Sequence, residues 1–93
     1  MALARVVSFE EVGQDRIEQI KQEMNEGRPD DVPATEIVML YDGDAEKSLV
    51  ILFFDSQEDF DRADETLGAM SADETPGRRT SVGRYDVAVR KTA

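Results

Sequence analysis

The chain contains no histidine, no cysteine and no tryptophan, and the first two absences each remove a class of chemistry. Without histidine there is no Ser-His-Asp triad, no imidazole ligand for haem iron or zinc, and no side chain that ordinarily titrates near neutrality. Without cysteine there is no disulfide framework, no thiolate nucleophile and no Cys-held metal, and the redox compartment stays open. Basic residues are scarce as well: 11 Lys and Arg stand against 21 Asp and Glu, a formal net charge of −10. Such a surface repels phosphate backbones and anionic headgroups, so neither nucleic acid nor a membrane is expected as a partner. No run approaches the ~20 apolar residues of a spanning helix, and Met1-Ala-Leu-Ala lacks the basic start and apolar core of a secretory signal. A cytoplasmic protein without a cofactor is the expectation.

What is present suits one folded domain over residues 1–93: the chain is 40% hydrophobic and 34% charged, with no room for a second core. Its most apolar stretch is the six-residue run Leu49-Val50-Ile51-Leu52-Phe53-Phe54. In an extended strand that run puts large side chains on both faces of the sheet. A short chain with two modest helices covers one face. Leaving the other in water would forfeit roughly 5–9 kcal/mol, against a total stability of roughly 5–15 kcal/mol for a small domain. A homodimer is therefore expected, each copy covering the second face of the other.

The chain around this strand divides cleanly. Residues 4–9 are β-branched and aromatic and predict a first strand. Asp15 as N-cap, with Glu18 behind it, opens a helix whose stripe is Ile17, Ile20 and Met24 and which ends near Glu26, before Gly27 and Pro29. A polar connection over 28–33 leads to a second strand at 36–41. Asp42-Gly43-Asp44 then turns the chain into the strand 47–54. Asp55 or Ser56 caps a second helix with the stripe Phe60, Ala63, Leu67 and Met70, its outer face carrying Glu58, Asp59, Asp61, Asp64 and Glu65. A loop over 71–79 containing Pro76-Gly77 precedes a long last strand, 80–91, with a β-bulge expected at Gly83.

The order strand, helix, strand, strand, helix, strand is the ferredoxin-like βαββαβ arrangement. Together with the strand Ser48-Leu-Val-Ile-Leu-Phe-Phe54, the Asp55-Ser56 cap after it and the long last strand, it resembles the dimeric α+β barrel superfamily over nearly the whole chain. The resemblance implies an α+β fold: a four-stranded antiparallel sheet, two helices on one face, and a homodimer whose open sheet faces close an α/β barrel around a small ligand. Members of that superfamily include cofactor-independent antibiotic-biosynthesis monooxygenases, stress-responsive barrel proteins, haem-handling enzymes, muconolactone-isomerase-like enzymes and YCII-related domains. The haem-handling and YCII types use a histidine that this chain lacks, and the tryptophan of several oxygenase relatives is missing too.

Strict alternation sorts the strands into faces. It turns Ile37, Met39, Tyr41, Tyr85, Val87 and Val89 toward the helices. It turns Arg5, Val7, Phe9, Glu36, Val38, Leu40, Arg84, Asp86, Ala88 and Arg90 toward the enclosed face. Arg5, Glu36, Arg84 and Asp86 are then salt bridges that align two subunits, with reading a ligand as the alternative. Arg78 and Arg79 either pair with Asp73 or Glu74 or clamp an anionic group at the barrel mouth. Tyr41 and Tyr85 are read as core residues with a proton-donor alternative, and Asp42-x-Asp44 as a turn, because the later ligands of a calcium loop are absent. Two functions fit: an accessory or stress-related dimer binding a small hydrophobic or aromatic molecule without assigned catalysis, or a cofactor-independent monooxygenase or isomerase acting on a quinone-like or polycyclic aromatic. In the second, Arg5 or Arg84 holds an oxyanion, Tyr41 or Tyr85 moves a proton, and Asp86 or Glu36 serves as base.

Overall fold

A computed structural model describes residues 2–26, 33–69 and 77–91. The elements run β1 (Leu3–Glu10), α1 (Gln14–Glu26), β2 (Glu36–Asp42), β3 (Lys47–Phe54), α2 (Gln57–Gly68) and β4 (Arg78–Asp86). The strands form one antiparallel sheet in the order β2-β3-β1-β4, the ferredoxin-like α+β topology. The expectations for Gly27, Pro29, Met70, the 28–32 connection, the 71–76 loop and the Met24 side chain fall outside what is described.

β3 and β1 occupy the two inner positions of the sheet, each paired along both edges, and β3 is the more continuously apolar of the two. Val50, Leu52 and Phe54 point to the helices and join two clusters there. The first gathers Leu3, Ala34, Leu52, Phe54, Phe60 and Ala63 beneath α2; the second gathers Val7, Phe9, Val12 and Ile17 beneath the start of α1. Phe54 is fully buried and meets Phe60 edge to face, ring centroids 5.6 Å apart, the arrangement that aligns ring edge with ring face. α2 is capped by Ser56, whose Oγ accepts from the Asp59 N–H at 3.2 Å. The hairpin turn at 42–46 is held by Asp42 Oδ1, which accepts from the Asp44 and Ala45 N–H groups.

Four sequence expectations are corrected. α1 begins at Gln14, with the Gly13 carbonyl accepting from the Ile17 N–H. Asp15 therefore lies inside the first turn, where its charge favours the helix dipole, and is not the cap. The last strand starts earlier and ends at Asp86, because its partner β1 begins at Leu3 and only Val87 finds one further acceptor, the Ala2 carbonyl. The bulge is at Thr80: Ser8 opposes Ser81 and Phe9 opposes Arg79, leaving Thr80 as the extra residue. Gly83 pairs regularly with Val6. The exposed Tyr85 ring folds back over it, and a Cβ there would lie 2.8 Å from that ring and push it aside.

The fourth correction concerns faces. Register places Leu3, Arg5, Val7 and Phe9 of β1, and Val82, Arg84 and Asp86 of β4, on the helix side, and Tyr85 on the other. β2 follows the sequence reading, with Ile37, Met39 and Tyr41 packed toward the helices. β4 misleads because it is an edge strand exposed at every residue but Gly83, so apolarity does not mark its inner face. Truncating Phe54 to Ala is expected to lower the unfolding free energy by about 3–5 kcal/mol, and removing the Ser56 cap with Ala by about 1 kcal/mol. Urea titration followed by circular dichroism measures both.

Candidate functional site

The sheet face turned away from the helices carries four cross-strand rows. Tyr85, Ala4, Phe53 and Glu36 form the first; Gly83, Val6, Ile51 and Val38 the second; Ser81, Ser8, Leu49 and Leu40 the third; Glu10, Lys47 and Asp42, with Arg78 opposite Glu10, the last. The two middle rows are mainly aliphatic and the outer rows carry the charge. Leu40 is 50% exposed, Leu49 37% and Tyr85 59%. No helix among the described residues lies on this face.

At the hairpin end the face hollows into a concavity of about 490 Å3, lined by residues that include Ser8, Glu10, Leu40, Asp42, Lys47, Leu49 and Thr80. Leu40 and Leu49 supply apolar surface, and Ser8 and Thr80 supply hydroxyls. Thr80 reaches the site because of the bulge, its Oγ1 donating to the Ser8 carbonyl at 3.2 Å. Glu10 accepts from Arg78 Nη2 at 2.7 Å and lies 3.9 Å from Lys47 Nζ. Beside it Glu11 and Glu46 both adopt left-handed backbone, with φ of 59° and 53°, a conformation that costs a non-glycine residue about 1–2 kcal/mol. The Glu46 carbonyl accepts from the Val12 N–H at 2.8 Å, joining the two strained corners. Gly77 packs flat on this corner: a Cβ there would lie 2.4 Å from the Glu10 carbonyl oxygen.

The residues singled out in the sequence are divided by the sheet. Arg5 is buried at 3% exposure on the helix side, its Nε donating to Asp64 Oδ1 of α2 at 2.8 Å. Arg84 is also on that side, donating to Gln57 Oε1 with its guanidinium 5.7 Å from the Phe60 ring centroid. Asp86 lies 3.9 Å from Arg84. Tyr41 donates its hydroxyl to the Val12 carbonyl at 2.9 Å and serves the core. Glu36 and Tyr85 are on the open face, in the row farthest from the concavity; Glu36 pairs with Arg90. Arg78 holds Glu10 and Glu11, Arg79 is exposed opposite Phe9, and Asp73 and Glu74 lie outside the described residues. Tyr41, Arg5, Arg84 and Asp86 therefore do not share a chamber with Glu36 and Tyr85.

Ser8, Lys47, Leu49 and Thr80 were missed. Alternation along 47–54, carried across the Asp42–Lys47 hairpin pair, was signal enough for Leu49 and Lys47; nothing in the sequence marked the Thr80 bulge. No group of three or more Asp or Glu among the described residues is arranged to hold a metal, and no helix described is long and apolar enough to cross a membrane. Set against protein-family models, curated proteins and solved structures, the chain matches none.

Among the described residues the Arg5–Asp64 pair is the one charge contact with a deeply buried partner, and removing one side exposes what it contributes. Asp64→Ala leaves a buried guanidinium without its carboxylate and is expected to lower stability by about 2–3 kcal/mol, less than a fully buried pair because Asp64 is half exposed. Arg5→Met with Asp64→Ala is expected to recover most of that loss in the same urea titration.

Proposed function

We propose that the protein is a cytoplasmic homodimer, assembled by apposing the two open sheet faces, that binds a small, largely apolar molecule in an accessory role without catalysis of its own. One observation carries the reading: a mainly aliphatic sheet face left uncovered by the chain's own helices, hollowed at one end to about 490 Å3. That volume lies within the roughly 300–1,000 Å3 of small-molecule sites, which are also mainly apolar with a few polar groups at the rim. Leu40 and Leu49 would face the ligand's hydrocarbon, and the Ser8 and Thr80 hydroxyls and Lys47 would orient its polar end. A second copy over the face would close the concavity from water.

The oxygenase or isomerase alternative is less well supported. It needs an arginine, a proton donor and a base converging on one chamber, and Arg5 and Arg84, with Tyr41 and Asp86, lie on the helix side of the sheet, across from Tyr85 and Glu36, which sit in the open-face row farthest from the concavity. A binding role requires only the concavity.

Sedimentation at micromolar concentration is expected to give a dimer. Leu49→Asp, at a position outside both core clusters, is expected to weaken it by about tenfold or more, the loss of one buried leucine contact. Native mass spectrometry of freshly purified protein is expected to retain a small molecule at one per subunit. A folded monomer that Leu49→Asp leaves unchanged would overturn the dimer. An empty dimer with no shift in melting temperature across an aromatic and aliphatic ligand panel would overturn the binding role.

A further inference from the structure

The third cross-strand row of the open face divides into two chemistries. On β4 and β1 it consists of Ser81 and Ser8, and on β3 and β2 of Leu49 and Leu40. The bulge adds a hydroxyl to the polar half: strict alternation from Ser81 would send Thr80 to the helix side, whereas as the extra residue it lines the concavity of about 490 Å3. Bulges recur beside active sites because they re-aim a side chain in this way.

The fourth row bounds the concavity and alternates in sign across the whole sheet, with Arg78 on β4, Glu10 on β1, Lys47 on β3 and Asp42 on β2. Each charge is already answered. Arg78 Nη2 donates to Glu10 at 2.7 Å, Lys47 stands between Glu10 and Asp42 with its Nζ 3.9 Å from Glu10, and Asp42 Oδ1 accepts from two backbone N–H groups. A carboxylate head placed here would lie beside Glu10 and Asp42, and an ammonium head beside Lys47 and Arg78. Either meets a like charge next to its partner and gives up its own hydration. An uncharged head avoids both costs, and Lys47 can still donate a hydrogen bond to it.

Hydrogen-bond accounting narrows the head further. Thr80 Oγ1 donates its one proton to the Ser8 carbonyl at 3.2 Å, so toward the concavity it can only accept. No acceptor among the described residues takes the Ser8 hydroxyl proton, which leaves that group a donor. A ligand O–H meets both requirements, its oxygen accepting from Ser8 and its proton going to Thr80. We propose that the concavity takes an uncharged aliphatic molecule bearing a hydroxyl, its head on Ser8 and Thr80 and its hydrocarbon on Leu40 and Leu49; the inference rests on the binding reading above and needs no second copy.

The test titrates the full chain with four probes of matched size and follows the backbone amide resonances of Ser8, Leu49 and Thr80 by NMR. Hexanol is expected to bind about three- to tenfold more tightly than methyl pentyl ether, its isomer without an O–H, and more tightly than hexanoate or hexylammonium. Thr80→Val keeps the shape and removes the acceptor, so hexanol should fall to within about twofold of the ether while the ether is unchanged. Ser8→Ala should weaken both. Hexanoate or hexylammonium binding as tightly as hexanol would overturn the uncharged head. Equal affinity of hexanol and the ether for the parent, or equal weakening of the two by Thr80→Val, would overturn the hydroxyl assignment and leave the binding site standing. If no probe moves these resonances, the binding reading falls and this inference with it.

Discussion

The two-sided apolarity of β3 is the constraint on which everything else turns. Its even positions, Val50, Leu52 and Phe54, are taken up by the helices and their cores. Its odd positions, Leu49, Ile51 and Phe53, look the other way with the side chains of β1 and β2 beside them. One strand cannot be slid to relieve this, since a one-residue shift exchanges the faces without changing the sum. Among the described residues, the fold buries or half-buries the helix-side half of the strand and leaves the other half with Leu49 exposed and Ile51 and Phe53 half-buried.

Where the cover is thin, polar groups organise the helix side. α2 packs on β1 and β3 and stops short of the outer edge, so the helix-facing side of β4 carries Arg84 and Asp86 in partial contact with water. Arg84 lays its guanidinium by the Phe60 ring and Arg5 reaches Asp64, both closing the margin of the core with charge in place of hydrocarbon. Arginine suits this position because its stem packs while its planar head stacks and bonds. Every buried side-chain nitrogen or oxygen among the described residues has a partner.

That same arginine explains where the sequence was legible and where it was not. The element order, the bounds of β3, the hairpin and, to within one residue, the cap of α2 could all be read from periodicity and turn chemistry, because each is set by local residues. The faces of β1 and β4 could not. In β1 the buried row is Leu3, Arg5, Val7 and Phe9, and an arginine in such a row argues for exposure until Asp64, far along the chain, supplies its counter-charge. In β4 neither face is covered, so pattern carries no signal, and the Thr80 bulge depends on pairing with β1 and not on any residue preference. The candidate site inherits both difficulties: its aliphatic floor follows from alternation, while its polar rim depends on register between strands distant in sequence.

The distribution of charge bears on how a molecule of net charge −10 could associate with itself. The acids of α2 at Glu58, Asp61, Asp64 and Glu65 are exposed on the side of the sheet away from the open face, as is Glu23 of α1. Within the four rows of the open face and the Arg90 side chain on it, Glu10, Glu36 and Asp42 are matched by Lys47, Arg78 and Arg90, two of those acids being held in ion pairs within the chain, while Glu11, Asp44 and Glu46 add negative charge at the hairpin end. Repulsion between copies is therefore carried by distant, solvent-screened helices, while the surface with the least hydration to lose is close to neutral. A uniform spread of the same charge would set like signs opposite one another across any twofold axis through the sheet. Segregating it puts the repulsive charge on the helices and leaves the sheet face nearer to neutral.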